Sequence, residues 1–146
     1  MNAIRKYETK DDDDIVRVWY KASELAHPFL KKDFLKKEEQ NIRNIYLPNT
    51  ETWVYEVNDE VLGFVALIGN EVGALFLDPD FHGHGIGYRL MKHVSKLHKE
   101  LEVEVFKKNS IGRGFYKRFG FKYLSEGVHE GSGCDFLRLK YTSNTN

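Results

Sequence analysis

The fold of this chain is decided by the stretch Phe81-His82-Gly83-His84-Gly85-Ile86-Gly87, which joins a strand to a helix. Residues 74–77 before it are apolar, and after it apolar residues recur with helical spacing. The first turn of a helix leaves backbone N–H groups unpaired and carries the positive end of the helix dipole. Glycines at 83, 85 and 87 remove side chains that would keep an anion from those donors. The stretch therefore predicts a phosphate-binding turn.

Two common nucleotide-binding patterns do not fit this turn. A dinucleotide fingerprint needs Gly-x-Gly-x-x-Gly, and its third glycine would fall on Tyr88 or Leu90. A mononucleotide P-loop needs Gly-Lys-Ser/Thr, which this turn lacks. The turn must therefore serve another phosphate compound, or be a tight turn without a ligand.

Three strands are predicted before the turn, at residues 52–57, 61–68 and 72–77, because these segments are rich in β-branched and aromatic residues. Asn58-Asp59-Glu60 links the first two as a hairpin, and Gly69-Asn70-Glu71 links the second to the third. The short links predict an antiparallel meander.

Helices flank this meander on both sides in the sequence. An apolar stripe from Ile15 to Ala26 predicts a first helix, and residues 33–46 predict a second, which should end before Pro48. The phosphate-binding turn opens a third helix, and Asn109 can cap a fourth that ends at Gly120.

Strands at residues 101–106, 121–125 and 134–141, with one at the amino terminus, complete the order. This order is strand, two helices, three strands, helix, strand, helix and two strands. It predicts a mixed α/β (α+β) fold with a mainly antiparallel sheet whose faces are covered by helices.

The totals favour one domain over residues 1–146, with a polar tail at about 142–146. The 22 basic and 22 acidic residues cancel, which argues against a nucleic acid or an anionic membrane as partner. The single cysteine, Cys134, excludes an intrachain disulfide, and the amino terminus lacks the apolar core of a signal peptide. We expect a cytoplasmic protein, as a monomer or a homodimer.

A second block, residues 109–121, reads Asn-Ser-Ile-Gly-Arg-Gly-Phe-Tyr-Lys-Arg-Phe-Gly-Phe. With the glycine-rich turn, it makes the chain resemble the Gcn5-related N-acetyltransferase family from about residue 4 to residue 139. The family pattern Gln/Arg-x-x-Gly-x-Gly/Ala matches residues 82–87, with His82 in place of Gln/Arg. The pattern Asn-x-x-Ala-x-x-Phe-Tyr-x-x-x-Gly-Phe matches the second block, with Gly112 in place of alanine.

The resemblance implies acetyl-CoA as cosubstrate, with its pyrophosphate on the turn and its thioester beside amides of a strand that splays from its neighbour. We do not expect a metal site at His82 and His84, because no chelating partners are evident and the glycines suit phosphate better. Phe115 also suits ordinary core packing. The implied cofactor contacts are Leu75, Phe76, Leu77, His82, Gly83, His84, Gly85, Ile86, Gly87, Tyr88, Asn109, Phe115 and Tyr116.

Acetyl transfer from a thioester to an amine needs a general acid for the leaving thiolate and a base for the amine. Tyr116 is our candidate acid, because an unperturbed tyrosine stays protonated at neutral pH. Glu104 and Glu71 are candidate bases, and Glu104 matches the base position of family members that acetylate ribosomal-protein alanine. His27 lies where small bacterial members carry a similar His-x-Phe-Leu, so it could bind or deprotonate the acceptor, or simply pack.

These residues predict an N-acetyltransferase that acts on a primary amine of a small molecule or peptide in a ternary complex. The alternative is a CoA-binding regulatory or sensor domain with little turnover, which His82 suggests because it alters the first position of the turn.

Overall fold

A computed structural model describes residues 2–143, and residues 144–146 of the expected polar tail lie outside them. The described residues form a seven-stranded sheet in the order β1-β2-β3-β4-β5-β7-β6. The elements are β1 Asn2–Lys6, α1 Asp12–Ala26, α2 Lys32–Asn41, β2 Glu51–Val57, β3 Glu60–Ile68, β4 Glu71–Leu77, α3 Ile86–Leu97, β5 Glu100–Phe106, α4 Ser110–Phe119, β6 Lys122–Val128 and β7 Asp135–Thr142. The predicted order and fold class are confirmed.

The predicted meander is present, because β2, β3 and β4 pair antiparallel in sequence order. Asn58 and Asp59 form the first link with φ angles of 50° and 65°, the left-handed conformation that two-residue hairpin turns require. The amino-terminal strand β1 adds to the outer edge of the meander by pairing antiparallel with β2.

The sheet buries an apolar layer on each face, and β3 contributes to both because its residues alternate between them. Phe64 faces the layer formed with α1 and α2, whereas Val65 faces the layer formed with α3 and α4. The stripe on α1 is buried as expected, with Ile15 and Val18 at 0% exposure. Helices therefore hold the sheet from both sides.

Three predicted boundaries are wrong, and one of them is the end of β6, which runs to Val128 rather than to residue 125. The second helix does not end before Pro48, because α2 continues through a π-helical turn, Ile42–Tyr46, into a short helical segment, Leu47–Asn49. The π turn starts a new hydrogen-bonding segment, so Pro48 falls in a first turn, where its missing N–H is not needed. Thr142 does not belong to a tail, since it pairs with Glu100 at the end of β7.

The sheet opens between β4 and β5. These parallel strands pair at Glu71 with Glu102 and at Val72 with Val103, and no further pair joins them within residues 2–143. A bulge in β4 at Gly73 shifts its register against β3 at the same point. The bulge bends the rest of β4 away from β5, which stays paired with β7 along its length.

Candidate active site

The opening between β4 and β5 is the floor of a cleft of about 620 Å³. Residues of β4 beyond Gly73 pair only with β3, so alternate backbone amides point into the cleft. Leu75, Phe76 and Leu77 lie on this stretch and line the cleft. The splay inferred from the family resemblance is therefore present.

The glycine-rich turn forms one end of the cleft. None of the backbone N–H groups from Gly83 to Tyr88 has a hydrogen-bond partner in the described part of the chain. His82, Gly83, Gly85, Ile86, Gly87 and Tyr88 line the cleft. The turn is a concentrated set of free donors at the start of a long helix, which is an anion site.

The three positions of the turn require glycine for two different physical reasons. Gly83 and Gly85 have φ angles of +86° and +77°, and a Cβ on either would meet no atom of the described residues within 4 Å. They are needed for the left-handed backbone rather than for space. Gly87 is needed for packing, because a Cβ there would lie 3.2 Å from Leu77 and 3.3 Å from Phe115.

His84 does not share the cleft with the other predicted residues. Its side chain is exposed on the outer side of the turn, with its ring 6.1 Å from the ring of Phe81. His82 is also exposed but lines the cleft. Within residues 2–143, no group of three His, Cys, Asp or Glu side chains is placed to hold a metal ion.

Asp78 anchors the turn to α1, which the sequence did not indicate. Its carboxylate is 3% exposed and accepts from Lys21 Nζ at 3.0 Å and from Arg17 Nη1 at 3.3 Å. Burial alone would raise the pKa of Asp78, but the backbone N–H of Asp80 and the Lys21 ammonium hold that pKa below its usual value. Asp78 stands in the sequence just before the glycine-rich turn, but its partner Lys21 is 57 residues away.

Tyr116 lies on α4 with its side chain in the cleft wall. It is 7% exposed, and its hydroxyl takes part in none of the side-chain hydrogen bonds found among residues 2–143. The rings of Phe115 and Phe121 pack against it at 5.4 and 5.3 Å. Burial raises the pKa of Tyr116 above its ordinary value, so its proton is held at neutral pH.

Glu71 and Glu104 line the cleft near the point where the strands diverge, and both bond to Arg138 on β7. Arg138 Nη1 lies 2.9 Å from Glu104 Oε1, and Nη2 lies 3.2 Å from Glu71 Oε1. Arg138 Nε also donates to Glu102 at 3.1 Å. One guanidinium thus faces three carboxylates, so the cluster is net negative.

His27 and Asn109 meet across the cleft. His27 follows α1, Asn109 caps α4, and His27 Nε2 lies 3.0 Å from Asn109 Nδ2. Asn109 Oδ1 also accepts from the backbone N–H of Gly112 at 2.9 Å. The predicted cap is therefore confirmed, whereas contact of Asn109 with a cofactor stays a prediction.

A further part of the cleft lining is mainly aromatic. It includes one acidic residue that sequence reasoning missed, Glu38, which accepts from Tyr46 across the π turn at 3.3 Å. No sequence signal marks Glu38, since glutamate on a charged helix face is usually solvated. The aromatic lining comprises Phe34, Tyr46, Phe76, Phe106, His129 and Phe136.

A splayed strand pair with an anion-binding turn at one end is the arrangement of an acetyltransferase site, and comparison with known proteins agrees. A family model described as an acetyltransferase (GNAT) domain matches residues 48–123. The chain belongs to this family, as the two sequence blocks indicated, and it is an N-acetyltransferase. The family uses acetyl-CoA.

Individual relatives match most of the chain. Peptidyl-lysine N-acetyltransferase YjaB of Escherichia coli is 33% identical over 142 residues, which cover 95% of this chain and 96% of YjaB. Peptidyl-lysine N-acetyltransferase YiaC of the same organism is 33% identical over 119 residues, covering 81% of this chain and 82% of YiaC.

Solved structures agree with the fold. The solution structure of apo YjaB from Escherichia coli superposes with a TM-score of 0.87 at 31% identity, covering 97% of both chains. The PaiA N-acetyltransferase of Thermoplasma acidophilum, solved in complex with coenzyme A, gives a TM-score of 0.77 at 19% identity, covering 97% of this chain and 99% of PaiA. The second likeness shows the fold alone.

Within residues 2–143, no helix is long and apolar enough to span a membrane.

Proposed function

We propose that this enzyme transfers the acetyl group of acetyl-CoA to the side-chain amine of a lysine in a peptide or protein, by direct attack in a ternary complex. The observation that carries the proposal is that one cleft is lined both by the free backbone donors of the turn and by a set of aromatic rings and carboxylates. The backbone donors suit a phosphate compound, and the aromatic rings with the carboxylates suit a long apolar side chain that carries a cation.

The cofactor end fits acetyl-CoA. The free N–H groups from Gly83 to Tyr88 would hold the pyrophosphate, and the unpaired amides between Gly73 and Leu77 would hold the pantetheine arm. When bound, acetyl-CoA supplies the acetyl group as a thioester, whose C–S bond breaks as the amine nitrogen bonds to the carbonyl carbon. An amide of β4 would polarise that carbonyl.

Tyr116 is the proposed general acid. Its hydroxyl is free of protein partners in residues 2–143 and lies in the cleft wall, and burial keeps it protonated. It would give its proton to the leaving thiolate, which a hydroxyl already bonded to another residue could not do as readily.

Glu104 is the proposed base, acting through water, and its geometry favours it over Glu71. Both oxygens of Glu71 face Arg138, at 3.2 and 3.5 Å. Glu104 contacts Arg138 through Oε1, and within the described chain its Oε2 has no hydrogen-bond partner. The free oxygen could accept the amine proton while Arg138 holds the side chain in place.

The acceptor end supports lysine in particular. Phe76 and Phe106 would cover the methylene stem, and the net negative cluster around Arg138 would attract the ammonium group before it loses its proton. YjaB and YiaC, which are named peptidyl-lysine N-acetyltransferases, support the same acceptor for this chain.

The test is release of free thiol from acetyl-CoA with purified protein and a short peptide that holds one internal lysine. The control peptide has norleucine at that position and a blocked amino terminus, and small amines are run in parallel. Lysine-dependent release with acetylation located on Nε supports the proposal. Thiol release with small amines alone would identify a small amine, rather than lysine, as the acceptor. Tight acetyl-CoA binding without thiol release above background would favour the alternative of a CoA-binding sensor domain.

A further inference from the structure

Two buried side chains from opposite walls of the cleft form a hydrogen bond whose direction is determined. His27 and Asn109 are 8% and 9% exposed, and they are 82 residues apart in sequence. Asn109 Oδ1 is occupied as the acceptor for the Gly112 N–H at the start of α4. The amide must therefore present Nδ2 to His27, and Nδ2 can only donate.

This direction determines where the proton of His27 resides. An imidazole nitrogen that accepts a hydrogen bond carries a lone pair, so Nε2 is unprotonated and the proton of the neutral ring is on Nδ1. Protonation of Nε2 would set one N–H group against another. Asn109 thus opposes both the other tautomer and the imidazolium form.

The surroundings of His27 also disfavour a charged imidazole. The rings of Phe29, Phe76 and Phe106 lie 5.7, 6.3 and 5.2 Å from the imidazole ring. Burial lowers the pKa of His27 to about 4. Aromatic rings and one amide surround the imidazole, so a positive charge on it would lack a counterion.

The second nitrogen of His27 remains available to a ligand. Nδ1 has no hydrogen-bond partner within residues 2–143, yet it is not enclosed. The one enclosed polar side-chain atom without a partner in that part of the chain is Nε2 of His93. Because His27 lines the cleft, its Nδ1–H is a donor open to what the cleft holds.

We infer that Asn109 locks His27 as a neutral Nδ1–H donor, and that His27 is a positioning residue for a carbonyl oxygen of a bound substrate rather than the base that deprotonates the amine. The hydrogen bond between Asn109 and His27, which we call the lock, is a property of the chain alone. Only the role of His27 toward a substrate carbonyl rests on the proposed function. The carbonyl could belong to acetyl-CoA or to the acceptor peptide.

Gly112 is part of the same arrangement. A Cβ at this position would lie 2.5 Å from Asn109 Nδ2 and 3.1 Å from Asn109 Cγ. The alanine that is usual at this place in the second block would therefore displace the amide that holds His27. The departure from the family pattern is explained by the space that the Asn109–His27 bond requires.

The lock is tested by nitrogen NMR of the imidazole rings, without any substrate. In the wild type, His27 should show a protonated Nδ1 and an unprotonated Nε2 from pH 5.5 to 8. Asn109→Asp keeps a good helix cap but supplies a carboxylate that accepts from Nε2–H, so the proton should move to Nε2 or the ring should become charged. Gly112→Ala should disturb the His27 signals. Gly114→Ala should not, because only the flexible end of Arg118 is close, at 3.0 Å.

Steady-state kinetics test whether His27 positions a substrate carbonyl. They also show whether that carbonyl belongs to acetyl-CoA or to the acceptor peptide. His27→Phe should raise one KM by about fivefold, the equivalent of one neutral hydrogen bond. A rise for acetyl-CoA assigns the carbonyl to acetyl-CoA, and a rise for the peptide assigns it to the acceptor. His27→Gln should leave the midpoint of the acid limb of the kcat profile in place.

Three results would overturn the inference: a protonated Nε2 in the wild type, His27 signals that Asn109→Asp leaves unaltered, or an acid limb that moves in His27→Gln. The third would make His27 the base. If no amine is acetylated but the Nδ1–H tautomer is found, the proposed function fails while the lock stands.

Discussion

Lys21 of α1 and Asp78 at the end of β4 form an ion pair of 3.0 Å that ties the glycine-rich turn to the opposite side of the sheet. Asp78 also accepts from the Asp80 N–H at 3.0 Å, so the same carboxylate caps the 3₁₀ turn that leads into the glycines. The position of the free N–H groups therefore depends on a residue that does not line the cleft.

Asp78→Asn should loosen this turn. We expect the KM for acetyl-CoA to rise about fivefold to tenfold and stability to fall by about 1–3 kcal/mol, because Lys21 and Arg17 lose their buried charged partner and keep only exposed ones. The KM for the peptide should stay within twofold. Steady-state kinetics with each substrate varied, and thermal unfolding, measure these effects. Asp80→Asn is the matched control, since the Asp80 side chain is 74% exposed; an equal effect there would refute the anchoring role.

Tyr116→Phe should abolish most turnover while keeping the fold. Because the hydroxyl has no protein partner within residues 2–143, its loss should change the free energy of unfolding by less than about 1 kcal/mol. We expect kcat to fall roughly 10²- to 10⁴-fold, as for loss of a general acid. Acetyl-CoA affinity by calorimetry should be preserved. Tyr123→Phe, which removes an exposed hydroxyl bonded to Glu126, serves as control.

Gly85→Ala tests whether the backbone conformation of the glycine-rich turn matters for acetyl-CoA binding as well as for stability. A side chain at φ +77° is strained whatever space it has, so we expect stability to fall by about 1–2 kcal/mol. Acetyl-CoA affinity should fall as well, because the strain shifts the free N–H groups. Gly69→Ala places the same strain, at φ +61° and in equally open space, in the β3–β4 link. If both variants bind acetyl-CoA equally, the turn does not hold the pyrophosphate.

Glu104→Gln should lower kcat, because it replaces the free carboxylate oxygen that is the proposed proton acceptor. Glu102→Gln is a close control, since Glu102 bonds to the same Arg138 on the same strand but does not line the cleft. Rate measurements between pH 5.5 and 9 compare the two. An equal loss in both variants would show that only the charge balance around Arg138 matters.

Acid should destabilise the fold through His27. Its folded pKa of about 4 lies below the ordinary histidine pKa of 6.5, so the unfolded chain binds more protons between these values. Stability should therefore be full above pH 6.5 and decrease as the pH falls toward 4, by about 3 kcal/mol from this residue. Urea unfolding at pH 7 and pH 4.5 should show a smaller difference for His27→Gln than for the wild type. Equal differences would contradict a buried neutral imidazole.

Local patterns in the sequence were sufficient for the elements and the family. Hydrophobic spacing and caps depend on residues a few positions apart, so the helix start at Ile86 and the Asn109 cap were predicted at the right places. The end of α2 was not, because a π turn before Pro48 depends on packing rather than on the local pattern. The sequence shows that residues 83 and 87 are glycines, but not why each position requires one. Gly83 is required by its backbone angle and Gly87 by its close neighbours, and only the structure shows this difference.

By itself, the sequence determined the order of strands and helices, the glycine-rich turn that opens α3, and membership in an acetyltransferase family. Each of these depends on residues that are contiguous in the chain. Tertiary structure alone decided which carboxylate keeps a free oxygen, what anchors the turn, and which nitrogen of His27 carries the proton. Those properties depend on the direction of hydrogen bonds between residues far apart in the chain. Such directions exist only once the sheet has brought β4, β5 and β7 together with the ends of α1 and α4.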